Sequence, residues 1–80
     1  MGNDFDVTSA NYDPVKFLER AKVAIGVKND AALARALGME PPVISRIRNR
    51  KMPIGDTVLI ELHEETGLHI RDIKKWADAA

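Results

Sequence analysis

Residues 30–51 read D-A-A-L-A-R-A-L-G-M-E-P-P-V-I-S-R-I-R-N-R-K, and this stretch decides the fold. Leu33, Ala34 and Leu37 recur at three- and four-residue spacing, which puts them on one face of a helix, and Ile44 and Ile47 share a face of the next segment. Two such faces bury against each other. Gly38 stands between them, where a tight turn between helices calls for a positive backbone φ that glycine adopts without steric cost. Ala34 is small where the second segment comes closest to the first. The pattern predicts a helix-turn-helix rather than a generic helical hairpin.

The second of these segments carries a cationic edge. Net charge over the 80 residues is zero, which alone argues weakly against a nucleic-acid binder. The charges are unevenly distributed, however: residues 28–51 carry six basic and two acidic side chains, and residues 52–80 carry three basic and six acidic. Arg46, Arg48, Arg50 and Lys51 fall together at the end of the second segment, where a phosphate backbone would lie. Seen alone, such a run is as well read as a solvated helix face; joined to the surrounding motif, it reads as a DNA edge.

Eighty residues give one small domain, near the lower limit for a core that stabilises itself without staples. With no cysteine there is neither a disulfide nor a cysteine-ligated zinc site. No apolar run approaches a membrane span, and the N-terminus lacks the basic-then-apolar order of a signal peptide, so a cytoplasmic location is expected.

In chain order, residues 1–12 are polar, carry Asp4 and Asp6, and are expected to form a flexible tail, with Phe5 and Val7 able to add a strand or a loose contact. The domain is expected over residues 13–78. Asp13 and Pro14 start a helix, one as cap and one in the first turn. Phe17, Leu18, Ala21, Ala24 and Ile25 form its apolar stripe, and Gly26 ends it. Asn29 caps the next helix, with Asp30 in its first turn. Glu40-Pro41-Pro42 opens the third, since prolines lose no hydrogen bond in a first turn. Asp56 is the expected cap of a fourth helix ending at Gly67, with Val58, Leu59 and Leu62 facing inward and Leu68 folding back. Ile70, Ile73, Trp76 and Ala77 mark a fifth, with His69 at its cap and Asp72 able to reach back. The expected fold is all-α, a compact bundle of five short helices with the helix-turn-helix at the second and third.

Residues 30–51, and the sequence onward to about Trp76, resemble the phage repressor and Cro-type (Xre) family of transcription regulators. Ala34, Gly38, Ile44 and Ile47 fall where that motif asks for a small residue, a turn glycine and two buried aliphatics. The resemblance implies a lambda repressor-like DNA-binding fold whose third helix enters the major groove. It also implies phosphate binding at the start of the second helix, a role open to Asn29. Asp30 departs from the uncharged donor common there, and Glu40 replaces a better-capping Ser or Thr. Pro41 and Pro42 occupy positions from which family members often hydrogen-bond to bases; they offer only apolar contact, as with a thymine methyl group, so that DNA shape gains weight.

The outward row of the third helix supplies the candidate site. Arg46 is the expected base reader, since a guanidinium can donate two parallel bonds to guanine O6 and N7; the other reading is an exposed arginine bridging to Glu40 or a phosphate. Arg50 is a second candidate, better suited to backbone than to base. Glu40 reads equally as an acceptor from cytosine N4 and as a plain cap. Lys28, Asn29, Ser45, Arg48, Asn49 and Lys51 are assigned to phosphate, where they fix register without specifying bases. One module of this size reads few base pairs, so two copies on half-sites about 34 Å apart are expected. Ile73 and Trp76 are the candidate dimer surface, with core packing as the other reading.

Nothing points to an enzyme, a metal or a cofactor. His63 and His69 are separated by the helix-ending Gly67 and cannot share a face at ligand spacing, and Ser45 has no histidine base at motif spacing. The expected function is a sequence-specific, dimeric operator-binding regulator, a repressor of the phage kind. The alternative is an antitoxin-type protein that binds a toxin partner and autoregulates its own operon; copurification of a stoichiometric toxin would favour it.

Overall fold

The helix boundaries follow local chemistry. In the structure, a computed structural model describing residues 7–79, α1 spans Pro14–Ile25, α2 Asp30–Ala36, α3 Pro41–Arg48, α4 Asp56–Thr66 and α5 Ile70–Lys74, followed by a 3-10 turn over Lys75–Ala77. Asp13 caps α1 by accepting from the Lys16 amide at 2.9 Å, and Asn29 caps α2 by accepting from the Ala32 amide at 2.8 Å. Each satisfies an amide that the first helical turn would otherwise leave orphaned.

The turn between α2 and α3 is a Schellman motif. The Met39 amide donates to the Ala34 carbonyl at 2.8 Å and the Gly38 amide to that of Arg35 at 3.1 Å, with Gly38 at φ 68°. Nothing lies within 4 Å of where a Cβ on Gly38 would stand, so the requirement for glycine is conformational rather than steric. The exit of α3 repeats the motif: Lys51 donates to the Arg46 carbonyl at 2.9 Å and Arg50 to that of Ile47 at 3.2 Å. Here the left-handed position, φ 61°, is held by Arg50 instead of glycine. A side chain there costs about 1–2 kcal/mol.

The α2–α3 pair packs against α1, while α4, α5 and the 3-10 turn close the other side. Phe17 and Leu18 from α1, Leu33 and Ala34 from α2, Ile44 and Ile47 from α3, Leu62 from α4 and Ile73 from α5 are all buried in one cluster. Ala34 has no exposed surface, as expected for the small residue where α3 crosses α2.

Several expectations need correction. Tyr12, placed in the tail, is buried in the core, bridges to Asp78, and is followed by an Asp13 amide that donates to the Ala77 carbonyl at 2.7 Å. Val7 packs against the core as well; Phe5, Asp4 and Asp6 lie outside the described residues. Gly55, not Asp56, is the N-cap of α4, and Asp56 instead sits in the first turn, where its charge suits the helix dipole. Ala24, assigned to the apolar stripe of α1, is exposed on its rim, and Leu68, expected to fold back after Gly67, is exposed beyond the end of α4. His69 caps α5 by accepting from the Arg71 amide at 3.3 Å, whereas Asp72 approaches Lys75 at 3.9 Å.

Ile73 is fully buried, because α5 turns its apolar face onto the core, and it is not available to a partner surface. Trp76 is half-buried, its ring 6.0 Å from that of Phe17 at 56°. Tilted contact of this kind favours the edge-to-face attraction of aromatic quadrupoles.

Candidate nucleic-acid interface

With Ile44 and Ile47 turned into the core, the helical repeat carries Pro42, Ser45, Arg46 and Asn49 to the outside of α3, and all four are exposed. Pro41 is exposed too, beside Glu40, whose side chain makes no capping bond. Asn49 donates from its amide to the Ser45 carbonyl at 2.9 Å and approaches the Ser45 hydroxyl at 3.4 Å, so the end of this row is held rigidly. Lys28 and Asn29 at the start of α2, and Lys51 after α3, are exposed. Among the described residues Arg46 has no carboxylate or carbonyl partner, and its guanidinium stands free on the outward face.

The other two arginines of the run are engaged within the protein. Arg48 donates from Nε and Nη2 to the two carboxylate oxygens of Asp30, both at 2.8 Å, and from Nη2 to Glu19 at 2.9 Å. Lys22 completes the network at 2.9 Å from Glu19 and 3.4 Å from Asp30. The network ties α1, α2 and α3 together. It also answers the tension at the start of α2, because the Asp30 charge that would repel a phosphate is balanced by Arg48. Arg50 turns back to the N-terminal segment, donating to the carbonyls of Val7 at 3.0 Å, Ser9 at 3.3 Å and Tyr12 at 2.7 Å. Its guanidinium carbon lies 5.7 Å from the centre of the Tyr12 ring, within cation–π range. The phosphate role expected of Arg48 and the DNA contact expected of Arg50 therefore meet competing partners at short distance, which neither local spacing nor periodicity displays.

The ion network shifts its own members. The hydrogen bond from Arg48 holds the Asp30 carboxyl below the usual range, and those from Lys22 and then Arg48 do the same for Glu19. A carboxyl depressed in the folded state contributes stability that is complete above its ordinary value and lost as pH falls through the folded value. With side chains 27% and 34% exposed, the Arg48–Asp30 pair stands between surface pairs worth up to about 1 kcal/mol and buried pairs costing about 3–5 kcal/mol to break. Arg48→Ala is expected to lower unfolding free energy at neutral pH by about 1–2 kcal/mol. Urea titrations at neutral pH and below pH 4 should show that deficit shrinking in acid. A deficit independent of pH would assign Arg48 a packing role instead.

Against known families, residues 16–75 match the model of the bacteriophage CI repressor helix-turn-helix domain. The chain belongs to that family. The match runs from α1 through α5, so the repressor-type domain is the bundle itself and not the α2–α3 unit alone. No curated protein and no solved structure matched the chain. The CI repressor domain is a DNA-binding domain of transcription regulators and not an enzyme family. Within it α2 and α3 form the helix-turn-helix, and the free Arg46 lies on the exposed side of the second of these helices.

His63 Nδ1 lies 2.7 Å from the Leu68 carbonyl, bracing the Gly67 turn. No cluster of three or more metal-ligating side chains occurs among the described residues, and no helix there is long and apolar enough to cross a membrane.

Proposed function

We propose that this CI-type domain acts as a sequence-specific operator-binding repressor, presenting α3 to the major groove with Arg46 as its principal base reader. The observation that carries this reading is the contrast among the three arginines: Arg48 and Arg50 are engaged within the protein, and Arg46 alone of the three is free on the outward face of α3. Its two parallel N–H donors match guanine O6 and N7. Pro41 and Pro42 beside it favour apolar contact with thymine methyl groups, and Glu40 is placed to accept from cytosine N4. Lys28, Asn29, Ser45, Asn49 and Lys51 surround this row and serve the phosphates. Asn29 uses its side-chain oxygen as a helix cap, which leaves its Nδ2 donors, together with the amides of the first turn, to meet a phosphate.

Repression here means occupancy of an operator by two copies. The domain measures 27 × 26 × 25 Å, so two domains fit side by side on half-sites about 34 Å apart along one face of the duplex. With Ile73 buried, the contact between copies falls to other residues, of which half-buried Trp76 is one.

Selection of bound duplexes from a random pool gives the operator, and binding by the parent and Arg46→Ala is then compared on selected and scrambled duplexes. The variant is expected to lose about 5- to 150-fold on the selected site, corresponding to about 1–3 kcal/mol. Binding to scrambled duplex should change far less. Equal losses on both duplexes would make Arg46 a phosphate contact and sink the assignment of readout.

A further inference from the structure

We propose that Arg50 serves DNA binding without touching DNA: it is a positioning residue that straps residues 7–12 to the exit of α3 and is itself held there as a fixed, uncancelled positive charge. The inference rests on the reading of α3 as the helix presented to DNA. Three observations carry it. Arg50 occupies the left-handed position of a Schellman motif, φ 61°, where glycine would fold with less strain, so what the position gains from arginine lies in the side chain. That side chain is committed to three main-chain carbonyls and an aromatic face within residues 7–12. The strap so held is fastened at its other edge to the C-terminal turn, through the Asp13 amide on the Ala77 carbonyl at 2.7 Å and the Ala79 amide on that of Asn11 at 2.9 Å.

Arg48 and Arg50 differ in what holds them. Two carboxylates cancel the charge of Arg48, whereas the acceptors around Arg50 are neutral dipoles, and among the described residues no carboxylate pairs with it. A guanidinium caged by carbonyls keeps its whole charge. Such a charge acts on a phosphate backbone across a Debye length, about 10 Å at 0.1 M salt, and no side chain has to be ordered when DNA arrives. The planar fork is essential to the cage, because a lysine ammonium is a point donor on a flexible stem and cannot span carbonyls of residues 7, 9 and 12 together.

The test combines amide hydrogen exchange with operator titrations over a range of salt. In the parent, the Tyr12, Asp13 and Ala79 amides are expected to stay protected when the selected duplex binds. Arg50→Lys keeps the charge and loses the fork. These amides should then exchange faster, and operator affinity should fall about 3- to 10-fold while the slope of log affinity against log salt is unchanged. Parent affinity in Arg50→Lys would mean that a positive charge alone suffices there, as in a direct phosphate contact, and overturn the proposal. So would unaltered amide protection in the variant, or loss of protection in the parent on binding DNA; this last measurement needs no variant and stands even if Arg50→Lys folds poorly. The Arg46→Ala experiment fails or succeeds independently, since it reads site preference and not the strap.

Discussion

Phe17→Ala is expected to remove a large share of the stability of this domain. Phe17 has no exposed surface and lies where α1 meets the 3-10 turn, with the Trp76 ring 6.0 Å away and Leu18, Ala21 and Ile73 in the same cluster. Truncating a buried phenylalanine loses its transfer free energy and leaves a cavity, together about 3–5 kcal/mol. At about 0.05–0.15 kcal/mol per residue, a chain this short has only about 4–12 kcal/mol in total. Thermal melts followed by Trp76 fluorescence and far-ultraviolet circular dichroism should show a midpoint lower by tens of degrees, or no folded baseline at all. A loss under about 1 kcal/mol would mean that the surrounding side chains collapse into the space, and that Phe17 is not the centre of the core.

Much of the bundle was legible in the sequence because its punctuation is local. Asp13-Pro14, Gly26, Asn29, Gly38 and Gly67 mark helix ends through chemistry that acts within four residues, and each marks one in the structure. The two missed core residues share a different signature. Tyr12 precedes the Asp13 cap and Phe17 is the fourth helical residue after it; Ile54 precedes the Gly55 cap and Leu59 is the fourth after that. All four are buried. This is the spacing of a hydrophobic staple, in which a residue just outside a helix packs on its first turn. Such residues lie outside the helical repeat, so a search for apolar faces passes over them. The staple rule would have found both.

The site was less legible, since a run of cations does not say which of them are free. Arg46, Arg48 and Arg50 look equivalent in the sequence, and their fates differ through partners that are remote along the chain. Arg48 meets Asp30 and Glu19, 18 and 29 positions away, and Arg50 meets residues 7–12, about 40 positions away. Such pairings depend on how α1 and the N-terminal segment are laid over α3, which no local period encodes. One local sign existed. Glu19 and Lys22 stand three residues apart on α1, a spacing that favours an ion pair, and they form half of the network that captures Arg48.

Ile47→Ala tests whether presentation of α3 and readout by α3 are separable, because its neighbour Arg46 points the other way. Ile47 is 1% exposed in the core behind α3, while the Arg46 guanidinium is free in solvent. Removing the Ile47 side chain is expected to cost about 2–5 kcal/mol of stability, whereas an exposed Arg46→Ala should stay within about 0.5 kcal/mol of the parent. Their DNA phenotypes should be opposite in kind. Below its melting range, a folded fraction of Ile47→Ala should keep the ratio of selected to scrambled binding, with total binding reduced in step with the folded fraction. Arg46→Ala should remain folded and lose the ratio. Measuring both quantities for both variants over temperature makes the separation quantitative. If Ile47→Ala lost site preference while still fully folded, α3 would be shifting on the core, and the packing of Ile44 and Ile47 would then determine specificity together with Arg46.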